Sequence, residues 1–261
     1  MKRSMYAMIY KDFRGVVSNR RLFASLLIVP IVLTVLLPSI FVIAGHFTPD
    51  DPDLQQMLSL LPESIQESSL EQLIHQMLLN YILPVFFLMI PIMTASIMAA
   101  SSFVGEKEKR TLETLLYAPL TLKEIFRAKV LACFLVSMLV SLISFAAMLL
   151  VLETELFFLT GSGLFPGISW LVILPLVSPA ISLIAITLIV RQSAKAKTVE
   201  ESQQGAVFLI IPIVLLAIGQ FTGVLMLSVW VLLGLGVLCA LVAGLLLKRA
   251  MGNFTYEKLL S

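Results

Sequence analysis

The apolar runs of this 261-residue chain contain no Asp, Glu, Lys, Arg or His. Ion- and proton-coupled carriers usually place an ionisable group at mid-membrane, so this absence argues against a proton-driven antiporter. No glycine is followed by lysine, so there is no G-x-x-x-x-G-K-[ST] phosphate loop. Any ATP that powers the protein must be bound by another subunit. Cysteine and histidine are scarce, two of each: Cys133, Cys239, His46 and His75. They form no CxxC pattern and no disulfide framework, and no metal site is expected. Both cysteines lie in apolar runs and read as small buried side chains. The serine of "GSG", Gly161–Gly163, lies in a loop with no histidine after it, which leaves a Ser–His protease without a natural base. No catalytic residues are expected. The net charge is only +2, and a nucleic-acid partner is not indicated.

Apolar residues, by contrast, are abundant. They make up 59% of the chain and charged residues 13%, with mean hydropathy +1.01, which places the chain among integral membrane proteins. Four uncharged runs, Leu22–Ala44, Leu78–Phe103, Val130–Leu152 and Ile168–Val190, each reach the ~20 residues that cross a bilayer as a helix. Ala206–Leu247 is about twice as long and must fold back. Its expected turn is at "GQFTG", Gly219–Gly223, where two glycines and two polar residues interrupt the aliphatics. The expectation is an all-α membrane protein in one domain. Its spans are 22–44, 78–103, 130–152, 168–190, 206–220 and 224–247, with an interfacial helix over 1–21, an external loop over 45–77 and a charged loop over 104–121. The first run is too long for a signal-peptide core and is expected to be a retained span.

With six spans, all 18 basic residues fall on one side, and eight acids, among them Asp50, Asp51, Glu63, Glu67, Glu153 and Glu155, fall on the other. By the positive-inside rule both termini are cytoplasmic. Trp170 and Trp230 are expected near the outer interface, where tryptophan prefers to sit. In the external loop, Leu54, Met57, Leu58 and Leu61, and then Leu70, Leu73, Ile74 and Met77, are spaced for short helices on the outer rim. Small residues at every fourth position, Gly236, Ala240 and Gly244, and Ala95 with Ala99, suggest helix contacts. Ser137, Ser141 and Ser144 put three hydroxyls along one side of the third span. They fit helix–helix hydrogen bonding, and the alternative is a polar strip along a pathway.

The charge that remains is concentrated. "VGEKEKRTLETLLYAPLTLKEIFRAKV", Val104–Val130, carries ten charged residues between two apolar runs. Leu112, Leu115 and Leu116 repeat at helical spacing, Pro119 ends that helix, and Thr121–Glu124 forms a capping box for the next. Setting topology alone needs neither mixed signs nor a leucine face, so the segment reads as a short rigid helix that docks on something. At the N-terminus, Met5, Met8, Ile9, Phe13, Val16 and Val17 fall on one face and Lys11, Arg14, Ser18 and Arg21 on the other, as in a helix lying along a membrane surface.

The charged stretch resembles the cytoplasmic loop of ABC-2-type ABC transporter permeases. Gly105, Glu106, Glu108, Arg110, Thr111, Leu112, Glu113, Leu115, Leu116, Pro119, Thr121, Glu124 and Lys129 fit the pattern of that family. One departure is the tight turn between the last two spans, where many members carry a longer external insertion. The resemblance implies a half-transporter in the plasma membrane that pairs with a second permease copy or a related permease. Two ATPase subunits would bind ATP and Mg2+ beneath it, and this chain would hold no cofactor. It implies that Glu106, Glu108, Lys109, Arg110, Leu112, Glu113, Leu115 and Leu116 form an ATPase-coupling helix. The N-terminal helix, with Met5, Ile9, Phe13, Lys11 and Arg14, would lie beside it. The expected function is export of an amphipathic or lipid-like compound, a drug, a peptide or an ion. The alternative is a secondary carrier or channel that works without ATP.

Overall fold

The computed structural model describes residues 2–47, 52, 55, 59, 70–108, 120–161, 165–193, 196, 198–221 and 228–252. Among them the chain is all-α. Six helices are long and apolar enough to cross a membrane: Leu26–Ala44, Gln72–Glu106, Leu122–Leu159, Ile168–Ser193, Val199–Gln220 and Val229–Gly252. Helices satisfy every backbone group internally, which is why uninterrupted apolar sequence takes this form in lipid.

The spans alternate in direction. Lys129, at the start of the third, meets Ser102 and Glu106 at the end of the second. Trp170, at the start of the fourth, meets Leu79 near the start of the second, and Arg127 of the third meets Met251 at the end of the sixth. One end of the bundle therefore gathers the lysines and arginines, and is called the basic end below. The acidic end carries Glu153 and Glu155. The second span is the hub and packs against the third, the fourth and the fifth. Its apolar window is 83% buried against 17% for the sixth, so the sixth span faces outward over most of its surface. The N-terminal helix, Lys2–Val17, lies against the third span.

Several boundaries differ from the sequence reading. The third helix runs Leu122–Thr160, from the expected capping box to Gly161, whose φ of 69° gives the left-handed turn that ends it. The helix thus extends past the apolar run at both ends. Leu70–Met77 is not a separate rim helix. It continues through a π-helical turn into the second span, with Ile74 and Met77 buried. The rim helix expected from Leu54, Met57, Leu58 and Leu61 lies outside the described residues. The fifth helix starts at Val199, capped by Thr198, which accepts from the Glu201 amide. It runs through Gly219 to Phe221. The sixth starts only at Val229, where Ser228 accepts from the Val231 amide. The backbone thus stays helical through Gly219 and Gln220, and a serine cap sets the sixth span's start.

One packing expectation also changes. Gly236 is pressed against Leu176 and Val177, but Gly244 has open space around it and Ala240 is exposed. The buried residues of the sixth span are Leu232, Gly236 and Ala243 instead, spaced four and seven apart. Trp230 is exposed and Trp170 is buried. The Trp170 ring meets Phe87 edge to face and Phe145 at a tilt, at centroid distances of 5.2 and 4.8 Å, so it packs inside the bundle at the acidic end.

Candidate functional site at the base of the charged loop

Thr121 starts the third helix as the sequence indicates. Its backbone N–H donates to Glu124 Oε2 at 2.9 Å, and the Glu124 amide donates back to Thr121 Oγ1 at 3.3 Å. The Thr121 backbone and hydroxyl donors hold the Glu124 carboxyl below the usual glutamate range. Glu124 precedes the apolar run that begins at Val130, so this cap lies at the basic end, outside the hydrocarbon.

Two turns into the same helix stands Lys129, which is 3% exposed. Its ammonium donates to the Ser102 carbonyl at 2.7 Å and the Ser102 hydroxyl at 3.2 Å. It pairs with Glu106 Oε2 at 2.8 Å and lies 3.9 Å from Asp12 Oδ2. Phe103 offers its ring face 5.4 Å away. Ser102 and Glu106 are four residues apart and so share a face of the second span. One lysine therefore joins three elements: the N-terminal helix through Asp12, the helix entering the charged loop through Glu106, and the helix leaving it, on which it sits. A buried ammonium is tolerated only with this density of partners.

An apolar contact reinforces the joint. Met8 is buried with Ile125 and Ala128, and Met5, Ile9 and Leu120 pack around them. Val16 is buried and Phe13 packs on the main core, while Lys11 and Arg14 are exposed. Arg14 lies over the Tyr10 ring at 5.9 Å. The apolar face read from the sequence is thus turned toward the third helix, leaving Tyr6 and Tyr10 exposed. Glu106 is partly buried and Glu108 exposed at the end of the second span. Lys109, Arg110, Leu112, Glu113, Leu115 and Leu116 lie outside the described residues.

The sequence reading missed Asp12 and gave Lys129 no role of its own. Two signals were present. Asp12 is the only acid before residue 50, and Lys129 directly abuts an apolar run.

The hydroxyls of the third span are buried in the middle of the bundle. Ser182 donates to Ser137 at 3.1 Å, Ser137 donates to the Pro91 carbonyl at 3.1 Å, and Thr94 is 3.0 Å from Ser137. Thr94 in turn donates to the Ile90 carbonyl at 2.7 Å. Ser137 thus links the second, third and fourth spans. Ser141 and Ser144 are also buried, without a hydrogen-bond partner among the described residues.

Residues 3–219 match the family model described as ABC-2 type transporter. Comparison with curated proteins and with solved structures returns no match. The chain belongs to the ABC-2 type transporter family, a family of membrane transport components that are not themselves catalytic.

Proposed function

We propose that this ABC-2 type chain is the permease half of an ATP-driven exporter, with its basic end in the cytoplasm of a cell whose plasma membrane it spans. Two ATPase subunits, which bind ATP and Mg2+, dock on the charged loop. A second copy of this chain, or a related permease, completes the path. The substrate is an amphipathic or lipid-like compound, a drug, a peptide or an ion. The uncharged spans suit such cargo better than a proton-coupled one.

The Lys129 joint is the observation that supports this reading. A loop meant only to hold charge in water does not need a buried lysine tying both its stems to a third helix. A loop that receives a mechanical push does, because force on a floppy base is dissipated locally. With both stems and the N-terminal helix fixed to one ammonium, displacement of the loop is passed to the second and third spans together.

Purification of the tagged chain in mild detergent from the membranes of its native host, with the co-purifying proteins identified, tests the proposal. The expected result is a retained ATPase that is lost when Leu112→Asp and Leu116→Asp are combined. Transport by the chain alone in liposomes without nucleotide would overturn it.

A further inference from the structure

Three spans break helical register in the same way. Val32–Leu36, Leu78–Ile82 and Ile173–Val177 are π-helical turns in the first, second and fourth spans. Each is closed by an N–H that reaches five residues back: Leu37 to Val32, Leu83 to Leu78, and Ser178 to Ile173. In each, the very next residue is proline: Pro38, Pro84 and Pro179. The cause is local. A proline ring collides with the carbonyl four residues earlier and has no N–H to offer, and widening the preceding turn relieves the collision. The wide turn directs the carbonyl five residues before each proline at a donor that does not exist. In the second span that carbonyl is Leu79, and Trp170 Nε1–H fills the vacancy at 2.8 Å. Beside it, the Gly167 amide donates to Asn80 Oδ1 at 2.7 Å.

The three turns converge. The first-span turn packs against Leu83–Phe87, the α-helical turn that follows the second-span π-turn. Phe87 touches Trp170, which stands just ahead of the fourth-span π-turn. Leu83–Phe87 is itself bounded on its other side, where the Leu88 amide bonds only three residues back, to Val85 at 3.1 Å. The third helix, by contrast, runs unbroken as α-helix from Leu122 to Thr160 through the same level, where Phe145 meets Phe87.

We propose that these turns are joints. The acidic-end segments of the first, second and fourth spans, beyond these turns, swing against a rigid remainder. The Trp170–Leu79 hydrogen bond makes the second and fourth spans swing together. The joint is a property of this chain alone, so its failure would leave the ATP-driven reading standing.

Hydrogen–deuterium exchange on the purified chain in lipid nanodiscs tests this. Amides in the three π-turns are expected to exchange roughly tenfold faster than third-span amides around Phe145. Pro38→Ala, Pro84→Ala and Pro179→Ala, which restore a helix donor, should each slow exchange only in their own turn. Trp170→Phe keeps the ring and removes the N–H. It should speed exchange by about fivefold, the equivalent of one net hydrogen bond, in the second- and fourth-span turns together, and leave Val32–Leu36 unchanged. The proposal is overturned if the π-turns are as protected as the third-span control. It is equally overturned if Trp170→Phe changes neither turn or only one.

Discussion

Lys129→Met is the sharpest perturbation of the loop base. Methionine keeps most of the stem volume and removes the charge. In the native structure the Lys129 side chain is 3% exposed, with those of Glu106 and Asp12 at 17% and 15%. Loss of the ammonium strips both carboxylates of this cation and leaves the Ser102 carbonyl without this donor. Removing one partner of a buried pair costs about 3–5 kcal/mol. Glu106 and Asp12 retain some contact with water, so the low end applies, about 3 kcal/mol. Reversible unfolding in mixed detergent micelles measures it. Glu106→Leu alone should also destabilise. The double variant should be less destabilised than the sum by about 2 kcal/mol, the mark of a direct interaction. Asp12→Asn should cost less than Glu106→Leu, because its oxygen lies at 3.9 Å and not 2.8 Å. An additive cycle, or Lys129→Met within about 0.5 kcal/mol of wild type, would refute the view that this lysine holds the three elements together.

Other predictions concern the spans and the cap. Gly236→Ala, whose new Cβ would meet Leu176 at 2.8 Å, should lower thermal stability by about 1–3 kcal/mol of overpacking. Gly244→Ala, with nothing within 4 Å, should not lower it, and paired melting curves separate the two. Ser137→Ala removes the link among three spans and should cost about 1 kcal/mol, whereas Ser141→Ala should be near neutral in the same unfolding assay, since Ser141 has no partner among the described residues. Because Thr121 donors lower the Glu124 pKa, the stabilisation they bring is present above the ordinary glutamate pKa and lost as pH falls through the lowered one. Thr121→Ala keeps the backbone donor and removes the hydroxyl, so it should raise the Glu124 titration midpoint only part of the way back, read by carbon NMR of labelled glutamate.

The sequence by itself determined the class, the number of spans and their directions, because hydrocarbon imposes one requirement on every residue it touches. Uncharged runs of sufficient length must be helices, and lysine and arginine must stay at one end. The capping box at Thr121–Glu124 was equally legible, since a cap is made by residues three apart in the chain. The apolar side of the N-terminal helix could be read from its period, but not the partner that covers it, the third helix at Ile125 and Ala128.

Only the tertiary structure decided what lies far apart in sequence. Asp12, Ser102, Glu106 and Lys129 meet because the N-terminal helix packs where the second span ends and the third helix begins, and no spacing rule encodes that meeting. Trp170 turns inward because a carbonyl made donorless by Pro84 waits 91 residues earlier in the chain. The sequence placed the prolines, yet a proline in a span is compatible with a kink, a wide turn or an undisturbed helix, as Pro212 of the fifth helix shows. Which of these forms depends on whether neighbouring helices supply the missing donor and the space, and that is settled by packing.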